Sequence, residues 1–190
     1  MLKKLRFIEE LDKMKYIKRA PYLCDGTLED DTQHSWHLAM MVMMFVPENL
    51  DLEKCLKIAL YHDLPEIYAG DCHIHDDKLR ASKKGKEAIS IKKLSLIMPE
   101  DKKEEILGII DDYDNKKTKE ARFVAELDKI QPLMMEVIEG GSTLKEHKAD
   151  YDKIYNFTRK GVTDEFGLWK IAEYYLEEGK KKDIFYRENK

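Results

Sequence analysis

The sequence predicts an all-α fold, organised as one compact bundle of helices. Apolar residues recur at three- and four-residue spacing along most of the chain, and no segment shows a convincing strand-like alternation. The 190 residues are 43% hydrophobic, which is enough for one buried core. With no internal repeat or linker in the sequence, we expect a single domain over residues 1–190. Its core would span about residues 2–138, with C-terminal helices from residues 139–190 packed on it.

The first helix is predicted from Leu2 to about Tyr16. Its apolar residues recur at every third position and are Leu2, Leu5, Ile8, Leu11 and Met14. The next stretch, residues 20–31, reads APYLCDGTLEDD, and its Gly, Pro and Asp content predicts an irregular loop. Asp31 or Thr32 is expected to cap the following helix.

A second helix is predicted over about residues 33–46, stopping before Pro47. It is apolar nearly all round, which is typical of a helix buried against several others. We therefore interpret Trp36 and the methionines at positions 40, 41, 43 and 44 as core residues. His34, at the start of this helix, would lie near the protein centre and remain reachable from the loop.

A third helix, capped by Asp51, reaches His62 and Asp63 and is interrupted at Pro65. Residues 70–82 are polar and turn-like. Further helices are predicted over about residues 83–97, 100–112, 118–138, 144–159 and 164–178, with Gly140 and Gly141 ending the third of these.

Composition excludes several classes of function. The formal net charge is only -4, so nothing indicates a face that binds nucleic acid. The cysteines Cys24, Cys55 and Cys72 form no paired spacing, which favours free thiols in a reducing compartment. The N-terminus lacks the apolar stretch of a signal peptide, and the longest apolar run, residues 38–46, is too short to span a bilayer. We expect a cytoplasmic protein without a membrane partner.

Three separated helices each carry metal-competent side chains in apolar surroundings: His34, the pair His62 and Asp63, and Asp128. An unpaired carboxylate at Asp128, among core residues, would cost several kcal/mol, so a positive group should face it. Two imidazoles and two carboxylates suit a divalent ion such as Mn, Co, Ni, Fe or Zn. Singly, each residue has an ordinary explanation: an exposed first-turn histidine, a solvated helix end, and an ion-pair partner of Lys129 or Arg122.

As a set, the order His, His-Asp, Asp in a helical chain resembles the HD superfamily of metal-dependent phosphohydrolases. The resemblance covers about residues 5–138, through the strings DDTQHSWHLAMM, ALYHDLPEIYAGD and ELDKIQPL. These strings are most similar to the subgroup that contains bacterial 5'-deoxynucleotidases. The resemblance implies an HD-domain helical bundle and one metal held by His34, His62, Asp63 and Asp128. It also implies hydrolysis of (deoxy)nucleoside 5'-monophosphates to nucleoside and phosphate.

The resemblance further assigns roles to three polar residues. Glu66 and Asp71 match carboxylates implicated in water activation and leaving-group protonation, and Arg19 matches an arginine that reaches the substrate phosphate. Ordinary alternatives are an ion-paired carboxylate, a turn residue and a surface charge. The characterised deoxynucleotidases tend to have an aromatic residue after the arginine, where this chain has Ala20, which puts the substrate in doubt.

Several alternatives stay open at this point. His37 could share a helix face with His34, but we expect it outside the ligand shell. His73 and His75 are interpreted as loop residues at the mouth of the site, with a two-metal site as the alternative. Other readings of the function are an HD-type phosphodiesterase, a nucleotide triphosphohydrolase, or a non-catalytic nucleotide-binding protein that retains the metal. The resemblance also allows a homodimer through the aromatic-rich residues 151–185.

Overall fold

Helices form most of the chain in the computed structural model, which describes residues 1–71 and 77–188, with the backbone alone for residues 77–82. The all-α prediction is confirmed. In chain order the elements are α1 Leu2–Leu11, a 3-10 turn Asp12–Tyr16, β1 Lys18–Tyr22, β2 Leu28–Asp30, α2 Asp31–Phe45, α3 Leu52–Tyr61, α4 Glu66–Ala69, α5 Asp77–Ser95, α6 Glu100–Asn115, α7 Lys119–Glu139, α8 Ser142–Glu146, α9 Tyr151–Gly161 and α10 Trp169–Lys181. Across the described part of the chain, no helix combines the length and apolarity that a membrane span requires.

The segment predicted as an irregular loop contains a short antiparallel hairpin, so that prediction is wrong. In β1 and β2, Lys18 lies opposite Asp30 and Tyr22 opposite Leu28. The turn between them places Gly26 at φ 80°, in the left-handed region that glycine adopts without strain. Strands of five and three residues are too short to show a readable alternation. The hairpin packs against α7 and α8, and this contact carries Arg19 into the interior.

The cap of α2 differs from the prediction by one residue, with a consequence for the interior. Asp30 is the N-cap: its carboxylate accepts from the backbone of Thr32 and Gln33, and the Gln33 side chain accepts from the Asp30 backbone. Asp31 therefore does not cap the helix, and it lies fully buried. The predicted cap at Asp51 is confirmed, since its side chain accepts from Lys54 N.

Several other boundaries differ from the prediction: the first α-helix ends at Leu11 rather than near Tyr16, and α10 begins at Trp169 rather than near residue 164. Helix α5 begins at Asp77, within the segment expected to be turn-like, and His73 and His75 lie outside the described residues. The single helix expected over residues 144–159 is two helices, α8 and α9, separated before the Asp150 cap.

Helix α7 lies at the centre, against α2, α3, α9 and α10. Its residues Phe123, Leu127 and Ile130 are fully buried with Leu38 of α2 and Ile58 of α3.

Helix α2 buries one face only, so its expected burial on all sides is wrong. Met41 is buried, but Met43 and Met44 are exposed and Trp36 is 65% exposed. An unbroken apolar composition does not reveal which face a neighbouring helix covers.

Candidate metal centre and active site

The structure brings the four predicted metal ligands together. His34 lies in the first turn of α2, His62 and Asp63 directly follow α3, and Asp128 lies midway along α7. All four are buried. His34 Nε2 lies 3.2 Å from Asp128 Oδ1 and 3.8 Å from Asp63 Oδ2. His62 Nε2 lies 3.1 Å from Asp63 Oδ2 and 3.8 Å from Asp128 Oδ1. Each Nε2 atom thus lies within 3.8 Å of an oxygen of both carboxylates.

A hydrogen bond on the opposite side fixes the orientation of each imidazole. His62 Nδ1 lies 3.1 Å from the carbonyl oxygen of Ala59, one turn earlier. His34 Nδ1 lies 3.1 Å from Gln131 Oε1, in α7. A backbone carbonyl only accepts, so Nδ1 of His62 donates, and the same polarity suits the amide oxygen of Gln131. In the neutral imidazoles, both Nε2 atoms then carry lone pairs on the side of the two carboxylates.

The direction of these lone pairs shows that the cluster needs a cation. Within the described residues neither Nε2 atom makes a hydrogen bond, although both are buried. Each faces carboxylate oxygens, which also present lone pairs, so a cation must lie between them: protons on the imidazoles or a metal ion. Metal–ligand bonds of about 2.0–2.2 Å place neighbouring ligand atoms about 3.0–3.5 Å apart, and the shorter distances here match that spacing. The donor set therefore fits a divalent metal.

The electrostatics of the cluster agree with this fit. Burial works against ionisation of Asp63, but His62 and Arg19 hold its pKa well below its usual range. Burial also opposes ionisation of Asp128, and Lys129 and His34 hold its pKa low as well. Burial lowers the pKa of His62, but Asp63 outweighs it and the net pKa is raised. The two carboxylates stay ionised and keep a cation attracted to the centre.

Arg19 is not a surface charge. Its side chain is 12% exposed, and its Nη1 donates to Asp63 Oδ2 at 2.9 Å. Nη1 also lies 3.5 Å from Asp31 Oδ1, and Nε lies 3.3 Å from Glu29 Oε2. Burial opposes its charge, but the carboxylates, Asp63 above all, raise its pKa, so it stays charged. One hydrogen bond and two further carboxylates within 3.5 Å therefore hold the guanidinium beside the predicted metal ligands.

Glu66 and Asp71 line the same cavity, at the end that holds the ligands. Glu66 is buried, and Lys83 Nζ donates to its Oε1 at 3.1 Å. Burial first, and repulsion from Asp63 second, raise the pKa of Glu66 to about 10. Asp71 is partly exposed at the cavity lining, which is compatible with its expected place beside a leaving group.

Several residues of the site went unrecognised in the sequence. Asp31, expected to be a cap, has both carboxylate oxygens buried without a hydrogen bond in the described structure. Its carboxylate lies close to those of Asp63 and Glu66. Burial and repulsion from Asp63 raise the pKa of Asp31 to about 8. Tyr113 donates its hydroxyl to Asp128 Oδ2 at 2.9 Å and so holds that carboxylate in place.

Gln131 was also not predicted from the sequence, although it contacts the ring nitrogen of His34 that faces away from the carboxylates. It is fully buried, accepts from His34, and donates through Nε2 to Glu29 Oε1 at 2.7 Å. Its Nε2 also lies 3.3 Å from His37 Nδ1, so His37 lies beyond Gln131 and outside the ligand cluster, as expected. The only signal in the sequence was a polar residue at a core position, three residues after Asp128.

Three of the four predicted ligands, His62, Asp63 and Asp128, line one end of a cavity of about 240 Å³. Ala20 lines its wall beside Arg19, and Thr143 Oγ1 donates to the Ala20 carbonyl at 2.9 Å, which joins β1 to α8. The far end is lined mainly by apolar side chains, among them Leu133, Leu144, Ile154 and Phe157. The cavity therefore combines a charged end with an apolar end, a division that suits a ligand with a phosphate and an organic ring.

A family model described as HD domain matches residues 11–169, most of the chain. The chain belongs to the HD domain family. The resemblance inferred from the sequence strings is confirmed.

Curated relatives of this HD-domain chain carry one activity in their names. A 5'-deoxynucleotidase HDDC2 from Bos taurus is 26% identical over 132 residues, covering 68% of this chain and 64% of that protein. A 5'-deoxynucleotidase YBR242W from Saccharomyces cerevisiae is 29% identical over 174 residues, covering 87% of this chain and 71% of that protein. The chain thus spans just under two thirds of the length of its bovine relative. The sequence-based expectation of a deoxynucleotidase-like phosphohydrolase agrees with both names.

The HD fold also has a solved counterpart over nearly the whole chain. A predicted metal-dependent phosphohydrolase from Magnetospirillum magnetotacticum is 28% identical, with a TM-score of 0.86, covering 98% of this chain and 95% of that one. The cluster of His34, His62 and Asp63 is thus a potential metal site in a fold whose solved member is described as metal-dependent.

Proposed function

We propose that this chain is a metal-dependent phosphomonoesterase that hydrolyses (deoxy)nucleoside 5'-monophosphates to nucleoside and phosphate. The observation that carries the proposal is a cluster of two carboxylates and two imidazole nitrogens that make no hydrogen bond within the described residues, beside the charged end of a cavity whose other end is apolar. The names of the curated relatives support the same chemistry. His34, His62, Asp63 and Asp128 would hold one divalent transition metal.

When bound, such an ion supplies Lewis-acid chemistry, making a water molecule more acidic and offsetting the charge of the phosphoryl oxygens during in-line attack. Arg19 would orient the phosphate. Its Nε and Nη1 face Glu29, Asp31 and Asp63, so the plane of its guanidinium is set before substrate arrives. The donors on Nη2 would then be directed to a phosphate oxygen.

Glu66 would orient the attacking water and accept its proton. Lys83 holds Oε1, and Oε2 is buried without a hydrogen bond among the described residues, so one oxygen is ready for a water. A cation beside Asp63 would remove part of the repulsion that raises the pKa of Glu66, and would so favour the ionised carboxylate that can accept a proton. Asp71, at the same end of the cavity, would protonate the departing 5' oxygen.

The test is a phosphate-release screen over ribo- and deoxynucleoside 5'-monophosphates with Mn²⁺, Co²⁺, Ni²⁺, Fe²⁺ and Zn²⁺. We expect inorganic phosphate and nucleoside as products, and loss of turnover in Asp63→Ala. Pyrophosphate or triphosphate from nucleoside triphosphates, or an opened cyclic ester, would indicate the other HD-type reactions instead. Absence of phosphate release from every monophosphate with every metal would refute the proposal.

A further inference from the structure

The apolar end of the cavity contains a buried acid, Glu136, that has no role in the proposed hydrolysis. Glu136 is 6% exposed and lines the cavity. Its Oε2 is buried, and within the described structure no group donates a hydrogen bond to it. A buried carboxylate oxygen without a donor is costly, and such an atom in a cavity wall indicates a ligand that supplies the donor.

The main influences on Glu136 among the described residues include no compensating charge. Burial raises its pKa to about 7, the Thr143 hydroxyl and the Leu144 backbone amide only partly oppose the rise, and Glu139 and Glu146 add to it. Across the described groups, no cation is among the main influences on this carboxyl. A neutral hydrogen-bond donor from a ligand is therefore the complement that the position lacks.

The position of Glu136 along α7 matches the length of the proposed substrate. Asp128, Pro132 and Glu136 follow one another at four-residue intervals, lie on one face of the helix, and all line the cavity. Eight residues of α-helix correspond to about 12 Å, so Glu136 lies about two turns beyond the metal ligand. A nucleotide with its phosphate at the ligands would direct its base toward this end.

We propose that Glu136 recognises the base of the substrate by accepting hydrogen bonds from the exocyclic amino group of the base and from the adjacent ring N–H. This inference rests on the proposed function. Guanine presents two adjacent N–H donors on its pairing edge, whereas thymine presents a single N–H between two carbonyl oxygens, which a carboxylate repels. Phe157, half-buried in the same wall, adds an aromatic ring to this end of the cavity. The site therefore favours deoxyguanosine 5'-monophosphate over thymidine 5'-monophosphate.

The experiment compares kcat/KM for these two nucleotides at pH 8, where Glu136 is ionised, in wild type, Glu136→Gln and Glu173→Gln. Glu173 is exposed on α10 and serves as a control that removes the same charge outside the cavity. A hydrogen bond to a charged group corresponds to a preference of about tenfold or more. We expect that preference in wild type and Glu173→Gln, and a ratio near one in Glu136→Gln. A wild-type ratio near one, or a preference that survives Glu136→Gln, overturns the inference.

A second measurement separates this inference from the proposed reaction. Calorimetric titration of the full chain with deoxyguanosine and with thymidine measures base recognition without turnover. We expect tighter binding of deoxyguanosine, lost in Glu136→Gln and retained in Glu173→Gln, whether or not phosphate is released. Equal binding of the two nucleosides refutes the role of Glu136 and leaves the hydrolytic proposal standing. Should Glu136→Gln not fold, Glu136→Asp, which keeps the charge but withdraws it by one methylene, should reduce the same discrimination.

Discussion

Replacing Gln131 by Leu tests whether the metal centre depends on a residue that contacts no metal. Gln131 accepts from His34 Nδ1 and donates to Glu29, and it is fully buried between them. Leucine has a similar size but neither hydrogen-bonding group. The substitution therefore leaves the imidazole of His34 free to rotate or to change its protonated nitrogen, while the four ligands themselves are unchanged.

The magnitude follows from the groups left unpaired. Losing a partner that orients a metal-bound histidine weakens metal binding about 10- to 100-fold, which corresponds to about 1.4–2.7 kcal/mol of binding free energy. Separately, the buried donor of His34 and the buried acceptor of Glu29 lose their partner, and each costs about 1–3 kcal/mol of the free energy of unfolding. We therefore expect weaker metal binding and lower stability in one variant.

The assay is competition for Mn²⁺ or Co²⁺ against a chelator of known affinity, together with urea unfolding of the metal-free protein. The matched control is Glu126→Leu, which removes another buried polar side chain of α7. Glu126 accepts from the backbone of Thr163 at 2.9 Å and does not line the cavity. The control should lose stability but keep wild-type metal affinity. Wild-type metal affinity in Gln131→Leu would refute the proposed role of the His34 hydrogen bond.

Two further predictions concern charged residues of the cavity. Arg19→Lys should lower kcat/KM by about 10- to 100-fold, because one ammonium group cannot replace a planar guanidinium that lies among three carboxylates. Steady-state kinetics measure the change, and an unchanged kcat/KM would contradict the prediction. The free energy of unfolding of Glu136→Gln should exceed that of wild type by a growing amount as the pH rises. Because burial raises the pKa of Glu136 to about 7 in the folded state, folding retains a proton that the unfolded chain releases above its ordinary pKa of 4.5. Wild-type stability thus falls from pH 4.5 to pH 7, by about 3 kcal/mol relative to the glutamine variant. Urea unfolding at pH 4.5 and pH 8 measures the difference, and an unchanged difference would exclude the raised pKa.

How far the sequence predicted the site depended on whether a residue's role shows in its own neighbourhood. His62 and Asp63 stand in a long local string, with His34 before it and Asp128 after it at characteristic places, so their grouping could be inferred from the amino-acid sequence alone. Gln131 and Asp31 act through partners far away in the chain. The residues next to them in the sequence do not show whether such a polar side chain caps a helix, is buried in the core or orients a metal ligand. The hairpin was missed because its strands are too short for a pattern.

Helix α7 carries residues that serve both ends of the cavity. Asp128 lies among the four predicted metal ligands, Gln131 orients a histidine from another helix, and Glu136 lies at the apolar end. Pro132, between them, donates no backbone hydrogen bond, so the carbonyl of Asp128 lacks its usual helical partner, and the proline ring itself lines the cavity. Because one helix joins these positions, helix geometry would set the distance between phosphate and base in the proposed complex. A ligand shorter than a nucleotide would then not reach both ends of the cavity at once.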